Sequence, residues 1–293
     1  MIKDIFSKKK TTLSFEVFPP KKEDDFDSVY ETLNSLKELN PDFISVTYGA
    51  GGSKSKKTIE IASYISNTLH IEALSHMTCV GNTKDDIRRI CEQLTDNNLG
   101  QVLALRGDRP QTMSDEQFFS REFTYASDLV SFLKKESTLN VAGACYPEKH
   151  VEALSKKADL IHLKEKVEAG CDFLITQLFF DNRYFYEFRE QCEKAGISVP
   201  ICAGIMPVTT AKQLGTTVSL SGSNVPDDLL KIQEKYGDIS EDMRKAGIEF
   251  ATRQIDELIK NEVAGIHLYT MNKSKTAFEI VNNLDLGRNQ FSF

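Results

Sequence analysis

The stretch LSFEVFPPKKEDD (residues 13–25) is an apolar, β-type run that two prolines stop and a charged turn follows. That turn contains no glycine. A doubly wound α/β sheet holding a dinucleotide carries a glycine fingerprint after its first strand, because the backbone there must approach a pyrophosphate closely. Without it, an alternating strand and helix chain reads better as a closed (β/α)₈ barrel. The same run puts a lone carboxylate, Glu16, among apolar neighbours, where a charge is costly unless it is paired or put to use.

Seven further apolar runs repeat the pattern: FISVTYG (43–49), IEALSHMTC (71–79), QVLALRGD (101–108), NVAGACYP (140–147), FLITQLFF (173–180), PICAGIMP (200–207) and GIHLYTMN (265–272). Between them lie segments such as DDFDSVYETLNSLKEL and KDDIRRICEQLTDNN, with apolar residues at three- and four-residue spacing. ISEDMRKAGIEFATRQIDELIKN (239–261) reads as a long amphipathic helix. Strands alternating with helices imply parallel strands and right-handed crossovers, and eight such units in 293 residues match the (β/α)₈ TIM barrel. With no composition break or low-complexity linker, residues 1–293 are expected to form one catalytic barrel domain of the α/β class without a regulatory domain.

The net charge of −7 argues against a nucleic-acid footprint, which needs a basic face. No apolar stretch approaches a membrane span, and MIKDIFSKKKTT lacks the apolar core of a secretory signal, so a cytoplasmic protein is expected. The six cysteines are scattered, without a C-x-x-C pair, and are expected to be free, mostly structural thiols. Five dispersed histidines with no H-E-x-x-H or H-x-x-E-H give no basis for a metal site.

In a barrel the chemistry sits at the C-terminal ends of the strands, because the loops there open on one face. Seven of the eight runs end in polar residues: Glu16, Thr47 and Tyr48, His76, Arg106 and Asp108, Tyr146, Gln177, and Asn272 followed by Lys273. Period-two alternation turns Ser14 and Glu16 inward, away from Phe15 and Val17. In the fourth run it groups Val102, Ala104, Arg106 and Asp108, and the bulkier Leu103 and Leu105 are expected on the helix-packed outside. Each candidate also has a structural reading. Glu16 could pair with Arg106, Asp108 could cap its turn, and His76 could be a satisfied structural histidine.

YGAGGSKSKKT (48–58) is glycine-rich with lysines nearby, but it matches neither the Rossmann nor the Walker A spacing. There is no G-x-S-x-G elbow. Lys166 could form an imine, although its charged flanks in LIHLKEKVEAG read as a helix. A barrel lyase using a lysine imine, and a non-catalytic flavin or folate carrier, stay open on the residues alone.

Taken in order, SFEVFPPK, SVTYGAGGS, SHMTC, LALRGDRP, YASDLV, CYPEKH, ADLIHLKEKVEAG, DFLITQLFFD, AGIMPV and HLYTMNK resemble the bacterial-type methylenetetrahydrofolate reductases over nearly the whole chain. The resemblance implies a barrel with noncovalent FAD. It implies reduction of 5,10-methylenetetrahydrofolate to 5-methyltetrahydrofolate by NADH or NADPH in ping-pong order. It implies Glu16 as the acid that protonates folate N10, with a carboxyl raised by its apolar neighbours Phe15, Val17, Phe18 and Pro19. Asp108 would bond the pterin and set negative charge near the flavin.

By the same resemblance, Gln177 serves both folate and nicotinamide, and Thr47 lies near the nicotinamide. FAD contacts would come from Tyr48, Ala50, His76, Arg106, Gly107 and Asp108 on the early strands. Ala126, Tyr146, His150, Ala153, Asp159, His162 and Lys166 would complete them. Gln213 and Lys273 would join the substrate contacts. The assembly is expected to be a homo-oligomer acting on small molecules, with no nucleic acid, membrane or metal partner. Three positions depart from the family's habit. Lys273 stands where an arginine commonly grips the folate glutamate, so a point charge replaces a fork. His162 and Glu165 replace a common asparagine and arginine, and the segment around Gln213 and Thr217 lacks the usual aromatic.

Overall fold

The computed structural model describes residues 1–20, 26–48, 54–237 and 239–284. Eight strands, β1 (Thr12–Val17), β2 (Phe43–Val46), β3 (Glu72–Thr78), β4 (Gln101–Leu105), β5 (Asn140–Cys145), β6 (Phe173–Thr176), β7 (Ile201–Ile205) and β8 (Gly265–Tyr269), form a closed parallel barrel in sequence order. β8 returns to β1 in the register Thr12↔Gly265 through Glu16↔Tyr269, which removes both sheet edges. The expected strand count and order therefore hold. The strands stop one to four residues short of the apolar runs, so the polar residues ending those runs sit mostly in loops at the mouth.

Helix α1 (Ile2–Phe6) precedes the barrel, and the other helices follow their strands as α2 (Phe26–Lys37), α3 (Lys54–Ser63), α4 (Lys84–Asp96), α5 (Asp115–Phe119) and α6 (Ala126–Glu136). They continue as α7 (Lys156–Glu168), α8 (Asn182–Lys194), α9 (Ala211–Ser221), α10 (Asp227–Tyr236), α11 (Ser240–Lys260) and α12 (Ser274–Asn283). Several starts are written in the local chemistry: Thr83 and Asp86 form a capping box on α4, and Ser155, Asp181 and Thr210 cap α7, α8 and α9 through their side chains. None of the helices among the described residues is long and apolar enough to cross a membrane. All six cysteines are free, and five are buried.

Two apolar layers divide the strand residues by parity. Phe15, Val17, Ile44, Val46, Val102, Ala104, Val141 and Leu268 face the helices. Phe43, Leu74, Leu103, Ala142, Phe173, Ile175 and Cys202 fill the barrel with Ile2, while Phe6 and Leu105 pack against them. This corrects the expectation for β4: Leu103 and Leu105 point inward, and Val102 and Ala104 point outward. Bulk did not decide the face, because a barrel interior also needs large side chains to fill it. Arg106 and Asp108 reach the mouth from beyond the strand, past Gly107, whose φ of +83° breaks the alternation. A Cβ at Gly107 would also lie 2.9 Å from that of Thr78.

Helix α1 closes the lower end. Ile2 is fully buried, its backbone N donates to Gln101 Oε1 at 2.8 Å, and Phe6 packs on Phe173 at 5.2 Å between ring centroids. Burying Ile2 contributes roughly 1.5–3 kcal/mol. The opposite end, where the strands finish, stays open.

Helix α11 approaches the β7 loop so closely that a Cβ at Gly247 would lie 1.7 Å from the Val208 carbonyl oxygen. In an exposed helix, glycine to alanine stabilises by about 1 kcal/mol. Here the sign should reverse. Gly247→Ala is expected to lower the unfolding free energy by about 1–3 kcal/mol, read as an earlier denaturant midpoint. A midpoint at or above wild type would show that α11 does not pack as described.

Candidate active site

Glu16 follows Thr12 and Ser14 on the inward face of β1 and lies level with Ser45 on β2 and Tyr269 on β8. Its Oε2 stands 3.4 Å from His76 Nε2 and 3.8 Å from His267 Nε2. His267 is fully buried and lies nearly parallel to Phe43. The Ser14 hydroxyl donates to the Ile266 carbonyl at 3.1 Å, so its 2.8 Å contact with His267 Nδ1 is one that it accepts. Nε2 on the other side of the ring faces Ser45 Oγ at 3.3 Å and Glu16.

These neighbours overturn the expected pKa of Glu16. Burial pushes its carboxyl up. The facing imidazole of His267, the positive charge that His76 and His267 carry when protonated, and the Ser45 hydroxyl together outweigh burial, so the net direction is down. The apolar residues counted on to raise it face elsewhere: Phe15 and Val17 belong to the outer layer, by the same alternation that turns Glu16 inward. Glu16 pairs with histidines and not with Arg106. Burial drives His76 down to about 4, against the pull of the Glu16 charge. His76 is therefore neutral near pH 7, and its Nε2 is buried without a hydrogen-bond partner.

Above this cluster lies a cavity of about 730 Å³ with an apolar floor of Leu103, Leu105 and Ile175. Glu16, Thr47, Tyr48, His76, Gly107, Asp108 and Gln177, all singled out in the sequence, line it. Arg106, Tyr146 and His150 connect it to an outer lobe of about 330 Å³ between α6 and α7. Ala126, Ala153, Asp159, His162 and Lys166 line that lobe. The two lobes make one long groove, broad at the barrel mouth and narrower outside.

In the outer lobe the His150 backbone N donates to Asp159 Oδ2 at 2.8 Å, and Tyr125 stacks on His162 at 5.8 Å. Lys166 donates its Nζ to the Ala144 carbonyl, and burial lowers its pKa. This is a wall position on α7, as its charged flanks foretold, and it does not face Glu16. His162 Nδ1 lies 3.0 Å from Glu165 Oε2, so the two residues that depart from family habit partner each other. The orphaned Nε2 of His76 and the arginine at the junction of the lobes suit a long ligand with a flat polar ring and an anionic arm.

Two expected site residues, Gln213 and Lys273, are not brought to this groove. A third, Ala50, lies with the surrounding 49–53 outside the described residues. Gln213 spends its amide on the loop before α9, accepting from Thr209 N at 3.0 Å and donating to the Pro207 carbonyl at 3.0 Å. Lys273 stands at the N-cap of α12 and does not line either lobe. Sequence reasoning passed over His267 and Tyr269. Their signal was present in GIHLYT, where Gly265, His267 and Tyr269 alternate with apolar Ile266 and Leu268. Tyr269 now lines the cavity, and its hydroxyl donates to the Thr176 carbonyl at 2.7 Å.

Comparison with known proteins agrees with the geometry. A family model for methylenetetrahydrofolate reductase matches residues 1–285. The chain is 34% identical over 272 residues to 5,10-methylenetetrahydrofolate reductase of Escherichia coli, covering 93% of this chain and 90% of that one. It is 35% identical over 298 residues to methylenetetrahydrofolate reductase (NADH) 1 of Arabidopsis thaliana, covering 97% of this chain and spanning half the length of that relative. Among solved structures, an uncharacterised Clostridium thermocellum protein binding two copies of 5-methyl-5,6,7,8-tetrahydrofolic acid aligns with a TM-score of 0.69 at 16% identity. The alignment covers 96% of this chain and 97% of that one, a likeness of fold.

The depressed His76 pKa carries a stability signature. The unfolded chain takes up this proton below about 6.5, and the folded one only below about 4, so folding loses stability as pH falls between them. Glu16, lowered from 4.5, adds a loss of the same sign below that value. Denaturation at stepped pH should show a fall of up to about 3 kcal/mol from His76 over this window, and His76→Asn should flatten it. An equally steep fall in the variant would assign the acid lability to other groups.

Proposed function

The chain belongs to the methylenetetrahydrofolate reductase family, and from that premise we propose that it reduces 5,10-methylenetetrahydrofolate to 5-methyltetrahydrofolate. The electrons come from NADH or NADPH through noncovalent FAD, in ping-pong order. The observation that carries this reading is the convergence of Glu16, Asp108 and Gln177 on one cavity that continues into the Arg106 lobe. In this reading the barrel alone carries the chemistry.

FAD, when bound, supplies a hydride acceptor for the nicotinamide and a hydride donor for the folate. Leu103, Leu105 and Ile175 offer apolar surface for its ring system, and the buried His76 Nε2 has no hydrogen-bond partner among the described residues. Tyr146, His150 and Arg106 line the passage to the outer lobe, where Ala126, Ala153, Asp159 and Lys166 would hold the nucleotide arm. Nicotinamide and folate would use the inner cavity in turn, as a ping-pong order requires.

The role of Glu16 is to hold and deliver one proton. Protonation at folate N10 breaks its bond to the bridging methylene and leaves a methylene iminium at N5. Hydride addition to that carbon completes the methyl group. Glu16 must carry the proton when folate arrives, although its neighbours hold the carboxyl low. Burial is the largest single influence on this group, and a substrate over the mouth excludes more water and strengthens it. The neutrality of His76 near pH 7 removes one opposing charge. Asp108 and Gln177 reach the same cavity and would orient the pterin by hydrogen bonds.

The purified protein is expected to be yellow and to release FAD on denaturation. In anaerobic stopped-flow, Glu16→Gln should keep NAD(P)H-dependent bleaching of the flavin. It should lose the folate half-reaction by roughly two to four powers of ten. Equal loss of both half-reactions would make Glu16 structural. A colourless protein with aldol activity would remove the flavin reading altogether.

A further inference from the structure

Arg106 lines both lobes of the groove, yet its guanidinium is already engaged. Nη1 donates to Glu152 Oε2 and Nη2 to Glu152 Oε1, the latter at 2.8 Å, while Nε points at its neighbour's Gly107 carbonyl at 3.4 Å. This is a fork on a carboxylate, the geometry that a guanidinium also offers to two phosphate oxygens. The partners are unequal. The Arg106 side chain is 21% exposed, and that of Glu152 is 61% exposed. Only the backbone of Glu152 is tied down, its N donating to His150 Nδ1 at 3.1 Å. The arginine is held in the wall and the glutamate can swing away.

Among the described residues, Arg106 is the only arginine that lines either lobe, and Lys149 spends its Nζ on the His150, Val151 and Ala153 carbonyls. Lys166 is committed to the Ala144 carbonyl. His150 is held below its ordinary value, first by burial and then by the charge of Arg106. Asp159 contributes a carboxylate to the same lobe. An anionic arm entering here meets a guanidinium that already carries an anion of matching shape.

We propose that Glu152 is a further residue of the dinucleotide site, holding the Arg106 fork in place and exchanging with the diphosphate of the cofactor as it binds. The inference rests on the FAD reading. Because the fork is already oriented, exchange costs about as much as releasing one half-exposed ion pair, which is modest and weakened by salt. Glu152 thereby tunes affinity for the phosphate-bearing flavin and has no bearing on the ring.

The test is a titration of flavin-free protein, wild type and Glu152→Gln, followed by quenching of flavin fluorescence with FAD and with riboflavin. The glutamine keeps the size and removes the charge. FAD is expected to bind the variant roughly three- to tenfold more tightly, with an advantage that shrinks as salt is added. Riboflavin, which has no phosphate, is expected to gain nothing. Unchanged or weaker FAD binding in the variant overturns the exchange, and so does an equal gain for riboflavin. If wild type takes up neither flavin, the FAD reading itself fails. Uptake of FAD that is indifferent to Glu152 overturns this inference alone.

Discussion

Closure of β8 onto β1 is the constraint on which the rest of the molecule depends. Once the eighth strand pairs with the first, every second residue of eight strands must fit inside one cylinder, with no edge to take up an error in register. Phe43, Leu74, Leu103, Phe173 and Ile2 supply the apolar filling of that cylinder. Ser14, Glu16, Ser45, His76, His267 and Tyr269 stand at inward positions paired with them or with one another, and buried polar groups there must find partners among themselves. A proton-bearing site at the mouth follows from the placement of polar residues at inward positions of the same levels.

The two lobes of the groove divide the electrostatic work. At the mouth, two imidazoles lie within 4 Å of one carboxylate oxygen, so the charge on each group depends on the others. In the outer lobe the charges are paired across the surface, Arg106 with Glu152 and His162 with Glu165. The first arrangement can move a proton and is sensitive to water. The second grips an anion and is sensitive to salt. A long cofactor spanning both would be held by the outer lobe and tuned by the inner one.

Much of this was legible along the chain. Strand and helix alternation is a local signal of hydrophobic spacing, and it yielded all eight strands in order. The inward turn of Glu16 was legible for the same reason, since alternation within one strand needs no knowledge of its neighbours. His267 and Tyr269 obeyed the same rule and went unremarked only because they precede the end of their run. The family resemblance carried the outer lobe: Ala126, Tyr146, His150, Ala153, Asp159, His162 and Lys166 come from two helices and the loop between β5 and α7, and nothing in their spacing joins them.

By itself the sequence determined how many strands there are, which way they run and which residue types end them, because periodicity and turn chemistry act over a few residues. The tertiary structure alone decided which face of β4 is inside, since the barrel had to be filled by large side chains from some strands and left open at others. It decided the charge on Glu16, because the histidines that hold the carboxyl down come from β3 and β8, 60 and 251 positions further along the chain. It decided that Arg106 meets Glu152 and not Glu16. Charge state and ion pairing depend on distances across the fold, and those exist only after the last strand has closed on the first.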